Sequence, residues 1–229
     1  MAEPSKDRND GVPWTDVVRF VRQLSHDLRN HLNAAELQSA YIGEIAEGAE
    51  LKTEINRLRE TMSQLGAVLR SLSAGLGEIK PSLMPYGAAE LVGDLRNTLS
   101  RDFPKESATI TWSVQLGDGA FNIDPHLLLQ AFTELFANAF QHERGEGAIV
   151  ATAKIDNGHF VFTLCEPKAG FELSTVNWGR EPLRKISQGH YGLGLNRARV
   201  IMEAHDGELR AQYDSAASTL ITTIRLPLS

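Results

Sequence analysis

Leu51, Ile55, Leu58, Met62, Leu65, Leu69 and Leu72 recur at alternating spacings of four and three. That rhythm keeps one narrow apolar seam on an α-helix, and such a seam is matched by another helix rather than by a sheet. A second long helix precedes it. Thr15 or Asp16 can cap its start, Val17, Val21, Leu24 and Leu28 mark its seam, and the pattern runs to about Ala46. Glu47-Gly48-Ala49-Glu50 reads as the turn between them, so the two helices read as an antiparallel hairpin. A lone hairpin cannot cover both seams. The expected arrangement is a homodimer whose two hairpins form a four-helix bundle; the alternative packs the hairpin on the C-terminal half of its own chain.

The first helix carries Ser25-His26-Asp27-Leu28-Arg29-Asn30. His26 stands two residues from both Leu24 and Leu28, roughly 200° of helical rotation, so the imidazole is expected to face away from the seam. An adjacent carboxylate can hold one ring nitrogen and leave the other free as a nucleophile. Taken alone, this is also the look of an ordinary solvated helix face.

Beyond the hairpin the pattern changes. Gly75, Gly77, Pro81 and Pro85 break it. A helix is expected over Ala88 to Arg101, then a strand with Ile110, Trp112, Val114 and Leu116 alternating. Asp124-Pro125 reads as a cap followed by a first-turn proline, opening a helix to about His142 with Leu128, Phe132, Leu135, Phe136 and Ala139 on its apolar face. Ala148 to Ile155 and His159 to Cys165 form a hairpin around Asp156-Asn157-Gly158. A glycine-rich turn precedes a helix from Leu193 to about Ala204, and two strands close the chain around Ser215 to Ser218. The expected domains are a disordered lead over 1–13, the hairpin over 14–75, a linker over 76–86 and an α/β domain over 87–229.

Three segments of that domain carry chemistry. Glu134 and Asn138 are four apart and share a helix face, where a carboxylate and an amide oxygen suit hydrated Mg²⁺. Gly189-His190-Tyr191-Gly192-Leu193-Gly194-Leu195 precedes a helix, and glycines there let backbone N–H groups approach phosphate. Glu166 ends a strand, where its carboxylate can accept a hydrogen bond from an adenine amino group. Each is common by itself. In this order and spacing they resemble the histidine kinase family over nearly the whole chain after the lead. Ser25 to Asn30 is similar to its phosphoacceptor box, Glu134 to His142 to its asparagine box, and Gly189 to Leu195, with Gly207 after the helix, to its second glycine box. Trp178-Gly179-Arg180-Glu181-Pro182-Leu183 is similar to a segment of its nucleotide lid.

The resemblance implies an α+β chain: an N-terminal antiparallel helical hairpin followed by an α/β-sandwich ATPase domain of histidine kinase type. It implies His26 as phosphoacceptor for the γ-phosphate of ATP, Asp27 as general base, and Asn30 where the family keeps a Thr or Asn that positions water. Asn138 is the implied Mg²⁺ ligand and Glu134 its support. Glu166, Gly170, Gly192 and Gly194 complete the implied nucleotide site, with Arg184 and Lys185 as lid cations. The implied partner is the receiver domain of a response regulator, with transfer to its Asp.

The first glycine box departs from the family. Its Asp-x-Gly-x-Gly stands here as Glu166-Pro167-Lys168-Ala169-Gly170. The acid is one methylene longer and Lys168 replaces a glycine, so MgATP is expected to bind more weakly than in a typical member. Gln141 also stands where a Lys or Arg often contacts phosphate. Three functions are therefore open: a kinase that phosphorylates His26 from ATP, a histidine phosphotransferase with a degenerate ATP site relaying phosphate between receiver domains, and a non-catalytic dimeric scaffold. Composition excludes others. The formal net charge of -6 and the lack of a basic run argue against nucleic acid. Cys165 as the single cysteine excludes an internal disulfide framework, and no His/Cys spacing suggests zinc. No apolar run reaches a membrane span and the start lacks a signal-peptide core, so the chain reads as cytoplasmic, with no sensory domain.

Overall fold

The computed structural model describes residues 14–141, 144–171, 174–176, 178–180 and 193–229. The expected disordered lead, 1–13, lies outside the described residues. The chain divides into two compact units, Met1–Gly77 and Glu78–Ser229. Among the described residues, no helix is long and apolar enough to cross a membrane.

The first unit is a hairpin of α1 (Trp14–Ile45) and α2 (Ala49–Gly75). Gly48 makes the turn at φ +113, a conformation that favours glycine. Near this closed end Gly43 faces Ile55, where a Cβ would make an ordinary contact at 3.5 Å from Cγ2. At the open end Arg22 donates from Nε and Nη2 to the Leu76 carbonyl, at 3.0 and 2.6 Å, answering a carbonyl that α2 leaves unpaired. The seam of α2 divides. Ile55 and Leu69 are buried against α1, whereas Leu51, Leu58 and Leu65 remain about half exposed at seven-residue intervals. On α1, Ser25 and Ser39 are buried while Leu24, Leu28, Ile42 and Ile45 are exposed. The hairpin thus covers one half of each seam and leaves the other half open.

The second unit runs β1 (Met84–Gly87), α3 (Ala88–Asp102), α4 (Pro104–Ser107), β2 (Thr111–Gln115), β3 (Ala120–Ile123), α5 (Pro125–Gln141), β4 (Val150–Asp156), β5 (His159–Pro167), α6 (Leu193–Glu203), β6 (Glu208–Asp214) and β7 (Thr219–Pro227). The main sheet has the order β2-β4-β5-β7-β6, parallel only between β2 and β4. Burial alternates along β5 and β7, so one sheet face is apolar and faces the helices. Phe160, Phe162 and Leu164 of β5 meet Phe132 and Phe136 of α5 in one core; the Phe132 and Phe162 rings meet edge-on at 4.9 Å. The β4–β5 turn carries positive φ at Asn157 and Gly158, as a two-residue hairpin of this hand requires.

One expectation needs correcting. The linker reading of 76–86 hides a strand: β1 pairs antiparallel with β3 in a separate ribbon, Pro85 opposite Asn122. Pro85 looked like a breaker because it lacks an N–H, but a two-stranded ribbon is all edge and tolerates it. β3 was not anticipated, being four residues long.

Candidate functional site

In the first unit, the sequence places His26 on the outward side of α1 and the structure agrees: its side chain is 64% exposed. Its Nδ1 lies 3.3 Å from Asp27 Oδ1 and 3.4 Å from Asn30 Nδ2. The two contacts belong to different tautomers. With Nδ1 protonated the ring donates to Asp27, and Nε2 carries the lone pair; with Nδ1 bare it accepts from Asn30. Both contacts fall on Nδ1, and among the described residues none falls on Nε2 of this largely exposed ring. Asp27 is itself held: Gln23 Nε2 donates to its Oδ1 at 2.8 Å. Gln23 was missed in the sequence reading, although it stands one helical turn before Asp27, the spacing at which side chains meet.

In the second unit, α5 carries a polar stripe, Gln130, Glu134 and Asn138, at intervals of four. Gln130 and Glu134 face α6. Gly194, the second residue of α6, lies so close that a Cβ there would stand 2.3 Å from Glu134 Oε2, so a larger residue would push the carboxylate off that helix start. Arg197 stands one turn further along α6 and its Nη2 reaches Gln130 Oε1 at 3.4 Å. Burial raises the Glu134 carboxyl above its ordinary range against the opposing pull of Arg197. Burial likewise lowers the Arg197 guanidinium, and Glu134 offsets part of that. Asn138 is half-buried, and among the described residues no side chain hydrogen-bonds its amide. Arg197 was not anticipated as part of this site.

Glu166 continues the inward face of β5 after Phe160, Phe162 and Leu164, and only 4% of it is exposed. Lys168, at 6% exposure, folds back so that its Nζ lies 2.8 Å from Glu166 Oε2. The contact is a buried ion pair. Burial pushes the Glu166 carboxyl up, and Lys168 works against that rise. The lysine was expected only to stiffen the backbone; its side chain engages the site acid. Gly170 is exposed with open space where a Cβ would stand. Gly192, Arg184 and Lys185, the lid from Glu181 to Leu183, and His142 lie outside the described residues. A groove of about 820 Å³ between α3 and α5 is lined by Asn97, Gln130, Thr133, Glu134 and Ala137 among others.

A hairpin bearing an exposed His-Asp pair, followed by a helix-on-sheet domain with this α5–α6 stripe, defines the class: a helical region joined to an α/β-sandwich ATPase domain of histidine kinase type. Comparisons with known proteins agree. Residues 123–229 match the family described as histidine kinase-, DNA gyrase B-, and HSP90-like ATPase. The sensor histidine kinase ZraS of Klebsiella oxytoca is 23% identical over 204 residues, covering 87% of this chain and 44% of that protein. The chain therefore spans less than half the length of this curated relative. Full-length ShkA, solved in complex with AMPPNP, superposes with a TM-score of 0.71 at 20% identity over 92% of this chain and 46% of that one. ThkA, solved with the response regulator TrrA, gives a TM-score of 0.60 at 15% identity, over 92% and 61%. The resemblance to histidine kinases read from the motifs is borne out, as is the fold class.

Proposed function

We propose that the chain is a protein histidine kinase of two-component signalling, that His26 carries the phosphoryl group, and that it passes the group to an aspartate of a receiver domain. The observation that carries this reading is the ring geometry: both local partners of the exposed His26 converge on Nδ1, and among the described residues none engages Nε2. Asp27 keeps the proton on Nδ1, so the lone pair stays on Nε2, and its carboxylate answers the charge the ring gains as Nε2 forms a bond. Asn30, on the same nitrogen, is placed to orient a water for the reverse step.

The residues of the second unit fit a nucleotide at both ends. Glu166 is a buried carboxylate at the end of β5, of the kind that accepts from an exocyclic amine, with Lys168 Nζ 2.8 Å from its Oε2. Among the described residues the Asn138 amide, half-buried, has no side-chain partner and is a hard oxygen ligand suited to Mg²⁺; one turn earlier on α5, Glu134 sits against the start of α6 at Gly194. ATP, when bound, supplies the phosphoryl group. Asn138 would hold the metal, Glu134 would orient its water, and Glu166 would select the base. The open half of each hairpin seam supports a homodimer with a four-helix bundle, since apolar faces of this length are covered in a stable fold.

The Glu166–Lys168 ion pair favours a second reading, a histidine phosphotransferase that receives phosphate on His26 from a receiver domain. Incubation of the full chain with γ-labelled ATP and Mg²⁺ separates the two. The kinase reading predicts an acid-labile label that His26→Ala abolishes and Asn138→Ala reduces at least about tenfold. An unlabelled wild-type chain contradicts it; labelling from a phosphorylated receiver domain would then support the second reading.

A further inference from the structure

Two acids face the ligand in the nucleotide reading, and the chain brings a cation of its own to each. At Glu134 that cation is Arg197. At Glu166 it is Lys168, and there the arrangement is tight. Both side chains are more than nine-tenths buried, and Nζ to Oε2 is 2.8 Å. A buried charge pair of this kind persists because each charge answers the other where water cannot. The lysine is also anchored. Its N–H donates to the Ser218 carbonyl at 2.9 Å, and its backbone bridges Arg144. Gly145 packs so closely that a Cβ there would stand 2.8 Å from the Lys168 carbonyl carbon. The ammonium is therefore tethered beside the acid by a fixed backbone rather than borne on a free loop.

Resting on the nucleotide reading above, we propose that Lys168 is an internal competitor for the base subsite. Its ammonium neutralises the carboxylate that an adenine amino group must engage, and so sets how tightly the chain binds an adenine nucleotide. A neutral amine offered to a bare buried carboxylate makes a strong, charge-assisted hydrogen bond; offered to a carboxylate already ion-paired it makes a weaker one. Arg197 beside Glu134 follows the same logic at the metal end.

The test is calorimetric titration of MgADP into the full chain. Lys168→Gln removes the charge and keeps a donor of similar reach. Glu166→Asp with Lys168→Gly rebuilds the shorter acid and the glycine together, so that no buried carboxylate is left beside a foreign side chain if Lys168→Gln fails to fold. Lys168→Arg keeps the charge. Both uncharged variants are expected to bind MgADP about tenfold tighter than wild type or more, with Lys168→Arg within about twofold of wild type. Equal affinity in wild type and both uncharged variants overturns the proposal while leaving nucleotide binding intact. Absence of binding in every variant overturns the proposal and the nucleotide reading together. The two failures are thus distinct.

Discussion

The oxygen Oε2 of Glu166 concentrates the chemistry of the second unit at the scale of one residue. Its strand position was legible because inward residues of β5 alternate strictly, and Glu166 falls on that alternation after Phe160, Phe162 and Leu164. The ion pair with Lys168 was not legible, because periodicity says which face a residue takes and nothing about a long side chain folding back beyond the strand end. The same holds for Gln23 on Asp27 and Arg197 beside Glu134, which are matters of side-chain reach. Replacing Lys168 by Met leaves Glu166 buried and uncompensated, at an expected cost of about 3 kcal/mol. The sign of its pH dependence follows from the carboxyl. Burial already raises it, and losing Lys168 raises it further. The folded chain then binds that proton more tightly than the unfolded one. The deficit of Lys168→Met is therefore full at high pH and relieved as pH falls through the raised value. Urea denaturation at pH 8 and pH 5 checks this: the gap to wild type should be larger at pH 8.

At the scale of elements, α5 holds the site because its start is fixed. Asp124 Oδ1 accepts from Leu127 N–H at 3.1 Å, its Oδ2 accepts from Ser82 N–H at 3.0 Å, and its own N–H donates to His205 Nε2 at 3.0 Å. The Asp124-Pro125 signal was plain in the sequence; the tie to His205, from beyond the end of α6, was not, since it is long-range. Burial alone would raise the Asp124 carboxyl, but the N–H groups of Ser82, Leu127 and His126 outweigh it and hold the carboxyl below its ordinary value. A depressed carboxyl contributes stability above its unfolded value and loses it as pH falls through the folded one. Asp124→Ala should cost about 1–2 kcal/mol at pH 7, and the gap to wild type should narrow as pH falls below the ordinary carboxylate range, as thermal melts at neutral and acid pH would show. The long elements were legible because each spans several repeats of its period. β1 and β3 escaped because four residues hold barely two, and Pro85 masked one of them.

At the scale of the whole molecule, the two halves of the α2 seam have different fates. Ile55 and Leu69 close the hairpin; Leu51, Leu58 and Leu65 await a second copy in the dimer proposed above. Leu58→Glu with Leu65→Glu changes only side chains about half exposed in the single hairpin. It should convert a dimer to a monomer in light scattering at micromolar concentration while circular dichroism keeps its helical signal. A wild-type monomer would contradict the bundle. The central claim is narrower: His26 carries phosphate on the nitrogen that Asp27 and Asn30 leave open. Nitrogen–phosphorus NMR on the full chain, ring-labelled at histidine and incubated with MgATP or a phosphorylated receiver domain, reads this directly. The account predicts a phosphoryl group on Nε2 of His26, absent in His26→Ala. A group on Nδ1, or a His26 that no donor phosphorylates, would contradict it.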